Sequence, residues 1–171
     1  MSEPEVWLRG PIEHVPPMLQ PVAHSLLQCR NEVRATLPTL GPADVWARPG
    51  SAASAGYHVR HAVGSLDRLL TYARGEQLSE AQLAAMRGER RAEEREGIQD
   101  ALVAEFDAAV ERALAQVRAT DPSSLLDARE VGRARLPSTV IGLLFHAAEH
   151  TQRHVGQLVT TAKVVRGAAS R

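Results

Sequence analysis

The chain has 171 residues, of which 44% are hydrophobic and only 4% aromatic, so its core must be built mainly from Leu, Val and Ala, a composition that favours helices. Twenty basic residues balance twenty acidic ones, and zero net charge argues against a protein that binds nucleic acid through a phosphate-tracking surface. The first residues lack the apolar stretch typical of a signal peptide and no apolar run is long enough to span a bilayer, so we expect no signal peptide and a cytoplasmic protein with no membrane partner.

The first half of the chain predicts an irregular lead-in and two helices. Residues 1–15 contain two prolines and a glycine and show no regular periodicity. Apolar residues at helical spacing then predict a helix at about 18–37. A second helix is predicted from about 52 to 74 and ends at Gly75, since glycine readily adopts the left-handed conformation that closes a helix.

The second half predicts a short helix and two more long ones. Ser79 and the glutamine three residues later have the spacing of a capping box, which opens a short helical segment. The stretch 87–96 mixes both charge signs, which indicates a solvated helix face. A clean apolar stripe predicts a helix at about 98–119. A long connection, with room for a short irregular or extended piece, precedes the last helix, at about 139–165, for which Ser138 is the expected N-cap.

Four long amphipathic helices predict an all-α fold, an antiparallel four-helix bundle with long connections. The length suits one domain, which we place over residues 1–171. Bundles commonly hold metal or ligand sites between facing helices, so the histidines of this chain are considered as residues of such a site.

The last predicted helix carries histidines at a regular spacing. Its stretch FHAAEHTQRHVGQL places His146, His150 and His154 four residues apart, and helical geometry brings residues at this spacing to one side. On a helical wheel His154 lies at the edge of the apolar arc, His150 a little further out and His146 furthest toward the polar side. We therefore prefer His150 and His154 as a pair of metal ligands, an arrangement that other zinc sites use. His146 is either an outer residue of the site or simply exposed.

Two histidines make a weak site, and the second predicted helix offers a third ligand. The stretch SAGYHVRHAVGSLDRLL contains His58 and His61, and the wheel places His58 nearer the apolar arc and His61 nearer its edge. The wheel leaves both open, and either residue alone could instead be a core histidine with a backbone partner. Five of the seven histidines lie on these two helices, which favours metal binding.

Other candidate residues add little chemistry. Cys29 is the only cysteine, which excludes an internal disulfide and a site of several thiolates, and its apolar helical setting predicts a small buried residue. Glu149 and Asp67 are interpreted as solvated carboxylates, so the catalytic residues are unknown. For Gln157, one turn after His154, a hydrogen bond to a ligand imidazole, a contact with substrate and a cap on a nearby carbonyl all stay open.

Two of these stretches resemble a known family. SAGYHVRH resembles the Ser-x-Gly-x-x-x-x-His pattern that opens helix two of DinB-like proteins, and HTQRHVGQL resembles their closing His-x-x-x-His followed by Gly-Gln. The resemblance extends from the first to the last long helix. It implies a four-helix bundle that binds a divalent metal, most often zinc or nickel, through His61, His150 and His154, and so selects His61 over His58. Arg153 stands where a second adjacent histidine is often found, a change that leaves these three ligands in place.

The resemblance also implies a class of function. Three neutral imidazoles leave a position open for water or a thiolate, as catalytic sites do. DinB-like proteins include thiol-dependent transferases and proteins described as metal-dependent hydrolases. We therefore expect a homodimeric metal-dependent transferase, using a low-molecular-weight thiol, or a hydrolase, acting on a small-molecule substrate. The alternative is a non-catalytic metal-binding bundle that serves as a dimeric scaffold or a stress-related protein, which a site sealed by a fourth protein ligand would favour.

Overall fold

The computed structural model describes residues 3–169, and these are mostly helical. Residues 1, 2, 170 and 171 of the predicted domain lie outside the described part. Within residues 3–169, no helix combines the length and the apolar character needed to cross a membrane. In chain order the elements are α1 (Gln20–Thr36), α2 (Ala55–Ala73), α3 (Glu80–Gly88), α4 (Ile98–Ala119), β1 (Ala128–Val131), β2 (Leu136–Thr139) and α5 (Val140–Ala169), joined by short turns of 3-10 helix.

The four long helices enclose one apolar core. Helices α4 and α5 each pack between α1 and α2, and the pair α2 and α5 forms the most extensive contact. The apolar stripe predicted for residues 98–119 faces this core, and its bounds are confirmed at Ile98 and Ala119. Because α2 and α5 carry five of the histidines, the largest helix contact in the fold is also the one that brings those residues together.

Helix α2 begins three residues later than predicted. Ser54 is its N-cap, and the Ser54 hydroxyl oxygen accepts a hydrogen bond from the amide of Tyr57 at 3.2 Å. The preceding Pro49, Gly50 and Ser51 instead form a separate turn of 3-10 helix. The predicted end is confirmed, since α2 stops at Ala73 and Gly75 has a φ of 81°. This start places the two helix-two histidines within the first two turns of α2.

The start of α5 also differs from the prediction. Ser138 does not cap the helix, because it lies in strand β2 and pairs with Arg129. Thr139 takes this place, and its hydroxyl oxygen accepts a hydrogen bond from the amide of Gly142 at 3.1 Å. At the other end the helix continues to Ala169, beyond the predicted limit of residue 165.

A small antiparallel hairpin precedes α5, in the connection for which the sequence left open a short irregular or extended piece. Strands β1 and β2 pair with Ala128 opposite Thr139 and Val131 opposite Leu136. The turn between them uses left-handed residues, with φ values of 68° at Gly132 and 50° at Arg135. The all-α expectation therefore holds broadly, with this hairpin as an addition at the base of α5.

Residues 76–97 connect α2 to α4, include α3, and are called the strap below. The predicted capping box at its start is confirmed, since Ser79 and Gln82 bond reciprocally. The interpretation of 87–96 as a solvated helix face is wrong, because α3 ends at Gly88 and the residues after it are not helical. Glu89 is also buried, with 8% of its surface exposed.

Candidate metal centre

Three histidines from two helices meet at the contact between α2 and α5. One ring nitrogen from each of His61, His150 and His154 lies within 4.8 Å of the other two. The Nε2 atoms of His61 and His150 are 3.1 Å apart. The rings are half-buried, and no other set of three His, Cys, Asp or Glu side chains in the described chain converges in this way. The fold thus brings together the three residues that the sequence singled out.

A buried carboxylate orients the ring of His61. The Nδ1 atom of His61 lies 2.7 Å from Oε2 of Glu89, and Oε1 of Glu89 accepts a hydrogen bond from Nη1 of Arg68 at 2.7 Å. Burial acts to raise the pKa of the Glu89 carboxyl, but the hydrogen bonds from His61 and Arg68 outweigh it and lower that pKa. The ionised carboxylate therefore holds the proton of His61 on Nδ1 and leaves Nε2 as the lone-pair atom, directed at His150.

His58 supports a second ring of the group. It is buried, with 6% of its surface exposed, and its Nδ1 lies 3.1 Å from Nδ1 of His154. One ring must donate this hydrogen bond, and when His154 donates, its Nε2 is left as the lone-pair atom. His58 therefore contacts a member of the converging group and is not itself a member, whereas His61 is one.

Burial and the proximity of other rings lower the pKa of three imidazoles at this site. Burial lowers the pKa of His58 and of His150, and nearby His61 lowers both further. Burial, followed by His61, also lowers the pKa of His154. Smaller contributions from His150, His58 and Arg153 bring it to about 4. Neutral imidazole is the form that binds a metal ion, so the lowered pKa values of His150 and His154 suit that role.

The lowered pKa values predict how acid affects the metal-free protein. Because folded His154 titrates near pKa 4 and an unfolded histidine near about 6.5, the unfolded state binds more protons between these values. The free energy of unfolding, measured with urea and excess chelator, should therefore fall as the pH falls from about 7 to about 5, and less so in His154→Ala. Carboxylates titrate below this window. A urea midpoint that is equal at both pH values would contradict the expectation.

The rim of the site contains aromatic and cationic side chains. Tyr57 stacks on His61 with ring centroids 5.4 Å apart, and the guanidinium of Arg90 lies 4.8 Å from the Tyr57 ring centroid. His146 lies outside the converging group, as the wheel indicated, and half of its side chain is exposed. Gln157 is exposed and, together with His58, lines an adjacent pocket of about 460 Å³.

The remaining candidates do not belong to the converging group. Cys29 is fully buried, and burial raises the pKa of its thiol to about 12, so the prediction of a packing residue is confirmed. The Glu149 carboxylate is exposed and pairs with Arg153 on the outer face of α5. Asp67 accepts a hydrogen bond from Gln82 of the strap at 2.7 Å.

Sequence reasoning missed Glu89 and Arg68. Glu89 stands in the stretch GERRAEEREG, where several glutamates and arginines follow one another, and no local pattern distinguishes it from Glu93 or Glu94. A general rule does predict that such a partner exists, because a histidine that binds a metal usually donates its other N–H to a carboxylate or carbonyl. Which carboxylate does so depends on the path of the strap.

The arrangement agrees with a comparison of the sequence with protein families. A family model described as the DinB superfamily matches residues 25–158, a span that contains His61, His150 and His154. The curated proteins include none that matches this chain. The family match covers well over half of the 171 residues. The chain therefore belongs to the DinB superfamily.

Proposed function

We propose that this protein binds one divalent metal ion per chain, zinc or nickel, through His61, His150 and His154, within the four-helix bundle of its family. The observation that carries the proposal is the arrangement of His61, whose Nδ1 is held by a buried carboxylate while its Nε2 lies 3.1 Å from Nε2 of His150. Two imidazole nitrogens that approach so closely either share a proton or share a cation.

The donor set fits such an ion. Imidazole suits zinc and nickel, whereas calcium and magnesium require oxygen ligands. Two nitrogens bound to a tetrahedral zinc at about 2.0–2.1 Å are about 3.4 Å apart. The ligand atoms of the three histidines, all within 4.8 Å of one another, need only small side-chain movements to reach that separation.

A metal-dependent transferase or hydrolase acting on a small molecule is the activity we propose. An ion held by three imidazoles supplies Lewis acidity and keeps a position for an exchangeable ligand. The chain's own contribution is positioning, since Glu89 and His58 fix two of the rings and Tyr57 covers a face of His61. A low-molecular-weight thiol must supply any thiol nucleophile, because the only cysteine is buried and protonated. Homodimer formation, the cytoplasmic location and a single domain over 1–171 stay predictions from the sequence.

Cobalt substitution tests the proposed open position. Cobalt(II) bound to the three histidines should give a visible spectrum that changes when a small thiol such as 2-mercaptoethanol, or azide, is added, because the added ligand enters the coordination sphere. Cys29→Ser should give the same spectrum and the same response, since that thiol is buried away from the site. A spectrum indifferent to every small ligand would indicate a closed site and favour the non-catalytic scaffold.

A further inference from the structure

The strap has a single buried anchor. Of residues 76–97, all of which the structure describes, only Glu89 is buried, and α3 buries none of its side chains. Glycines in the left-handed conformation stand at both ends of the strap: Gly75, just before it, has a φ of 81°, and Gly97, its last residue, has a φ of 72°. A segment docked with so little buried apolar surface is expected to open at a low free-energy cost compared with global unfolding.

Polar contacts attach the rest of the strap at its edges. Gln82 donates from Nε2 to Asp67 at 2.7 Å and to the Thr71 hydroxyl at 2.8 Å. The Trp46 indole donates to the backbone carbonyl of Glu93 at 2.9 Å, and Arg60 donates to that of Arg91 at 2.7 Å. Contacts of this kind near solvent contribute only modestly to stability. Glu89, between these attachments, is the buried residue of the strap, and its partners His61 and Arg68 lie on α2.

Helix α2 is shaped to receive the Glu89 carboxylate. A Cβ atom at Gly64 would lie 2.4 Å from Oε1 of Glu89 and 2.8 Å from Nη1 of Arg68. Real Cβ atoms do not approach other heavy atoms so closely, so a side chain at position 64 must push the carboxylate away. The carboxylate position thus depends on the absence of a side chain on α2, one turn after His61.

We propose that docking of the strap and metal binding are coupled through Glu89, which acts as a positioning residue for His61. The inference rests on the proposed metal site and adds its regulation. A carboxylate at Nδ1 makes the opposite nitrogen of His61 a stronger ligand, and a His61 ring ligated at Nε2 donates more strongly from Nδ1. Coupling of this kind is reciprocal. The docked strap raises the affinity for metal by some factor, and bound metal favours the docked over the open strap by the same factor.

Hydrogen exchange measured by mass spectrometry tests this coupling on the full chain with zinc. Amides of the strap should exchange about tenfold more slowly in the zinc-loaded wild type than in the metal-free protein, and Glu89→Ala should lose this difference. The same variant should bind zinc about 10–100-fold more weakly, and Glu89→Gln, which keeps a hydrogen-bond acceptor, should lose less. Glu94→Gln is the matched control, because Glu94 lies on the same strap but is exposed.

Gly64→Ala provides a second route that leaves Glu89 in the chain. Alanine is favoured over glycine in a helix by about 1 kcal/mol, so α2 itself is not weakened, while the added Cβ displaces the carboxylate. This variant should show weaker zinc binding and strap exchange that no longer responds to zinc. It separates the position of Glu89 from any general effect of removing its charge.

Two results would overturn the coupling and leave the proposed metal site intact. One is that strap amides exchange equally with and without zinc in a wild type that binds zinc. The other is that Glu89→Ala and Gly64→Ala bind zinc with the same affinity as Glu94→Gln. A wild-type protein that binds neither zinc nor cobalt would instead overturn the proposed function, and the coupling with it.

Discussion

Replacing His154 with alanine is expected to lower zinc affinity by at least about 100-fold, since loss of an outer partner of a ligand already costs about 10–100-fold. His154 is one of the three converging rings. Without it, α5 contributes only the ring of His150, and two histidines make a weak site. The affinity is measured by competition with a chromophoric chelator at neutral pH. His150→Ala should give a loss of the same order.

His146→Ala is the matched control for this loss. The residue lies on the same helix at the same four-residue spacing, yet its side chain is half exposed and stands outside the converging group. Its zinc affinity should stay within about a factor of two of the wild type, far from the 10–100-fold effects of outer partners. Equal losses in His146→Ala and His154→Ala would reject the assignment of the ligands.

Phe106→Ala is expected to have the opposite profile, a large loss of stability with an unchanged metal site. Phe106 is fully buried on α4, a helix that contributes none of the converging histidines. Truncating a buried phenylalanine typically lowers the free energy of unfolding by about 3–5 kcal/mol. Urea unfolding with excess chelator measures this change. The protein should be folded without metal in that experiment, because its core is apolar and continuous across the long helices.

Glu105→Ala controls for the effect of a substitution on α4, since the neighbouring Glu105 is exposed and its removal should change the urea midpoint little. The folded fraction of Phe106→Ala should bind zinc with wild-type affinity. If chelation alone unfolds the wild type, or if Phe106→Ala weakens zinc binding as much as His154→Ala does, the separation of core and site is wrong.

The parts of the fold that the sequence predicted are those determined by local periodicity. Residues 98–119 repeat an apolar residue every three or four positions, and the helix has those bounds. Helix ends depend on which of several neighbouring hydroxyl residues acts as the cap. Thr139 rather than Ser138 caps α5, and this choice follows from pairing of Ser138 with Arg129 in a hairpin. Strands of four residues are too short to show a reliable alternation.

The candidate site also has a part that local spacing predicts and a part that depends on the rest of the fold. A spacing of four residues within one helix brings His150 and His154 to one face whatever the rest of the chain does. The choice of His61 over His58 came from the family pattern, and the structure gives the two residues different positions, one in the converging group and one behind His154. Glu89 is 28 residues from His61, and only the path of the strap brings it there.

Anomalous scattering from crystals grown with zinc locates the bound ion and so tests the assignment of its ligands. This assignment predicts one strong peak per chain at the zinc edge, about 2.0–2.1 Å from a ring nitrogen of each of His61, His150 and His154. A zinc peak elsewhere on the chain, or no peak at these three histidines in crystals that contain stoichiometric zinc, would contradict it.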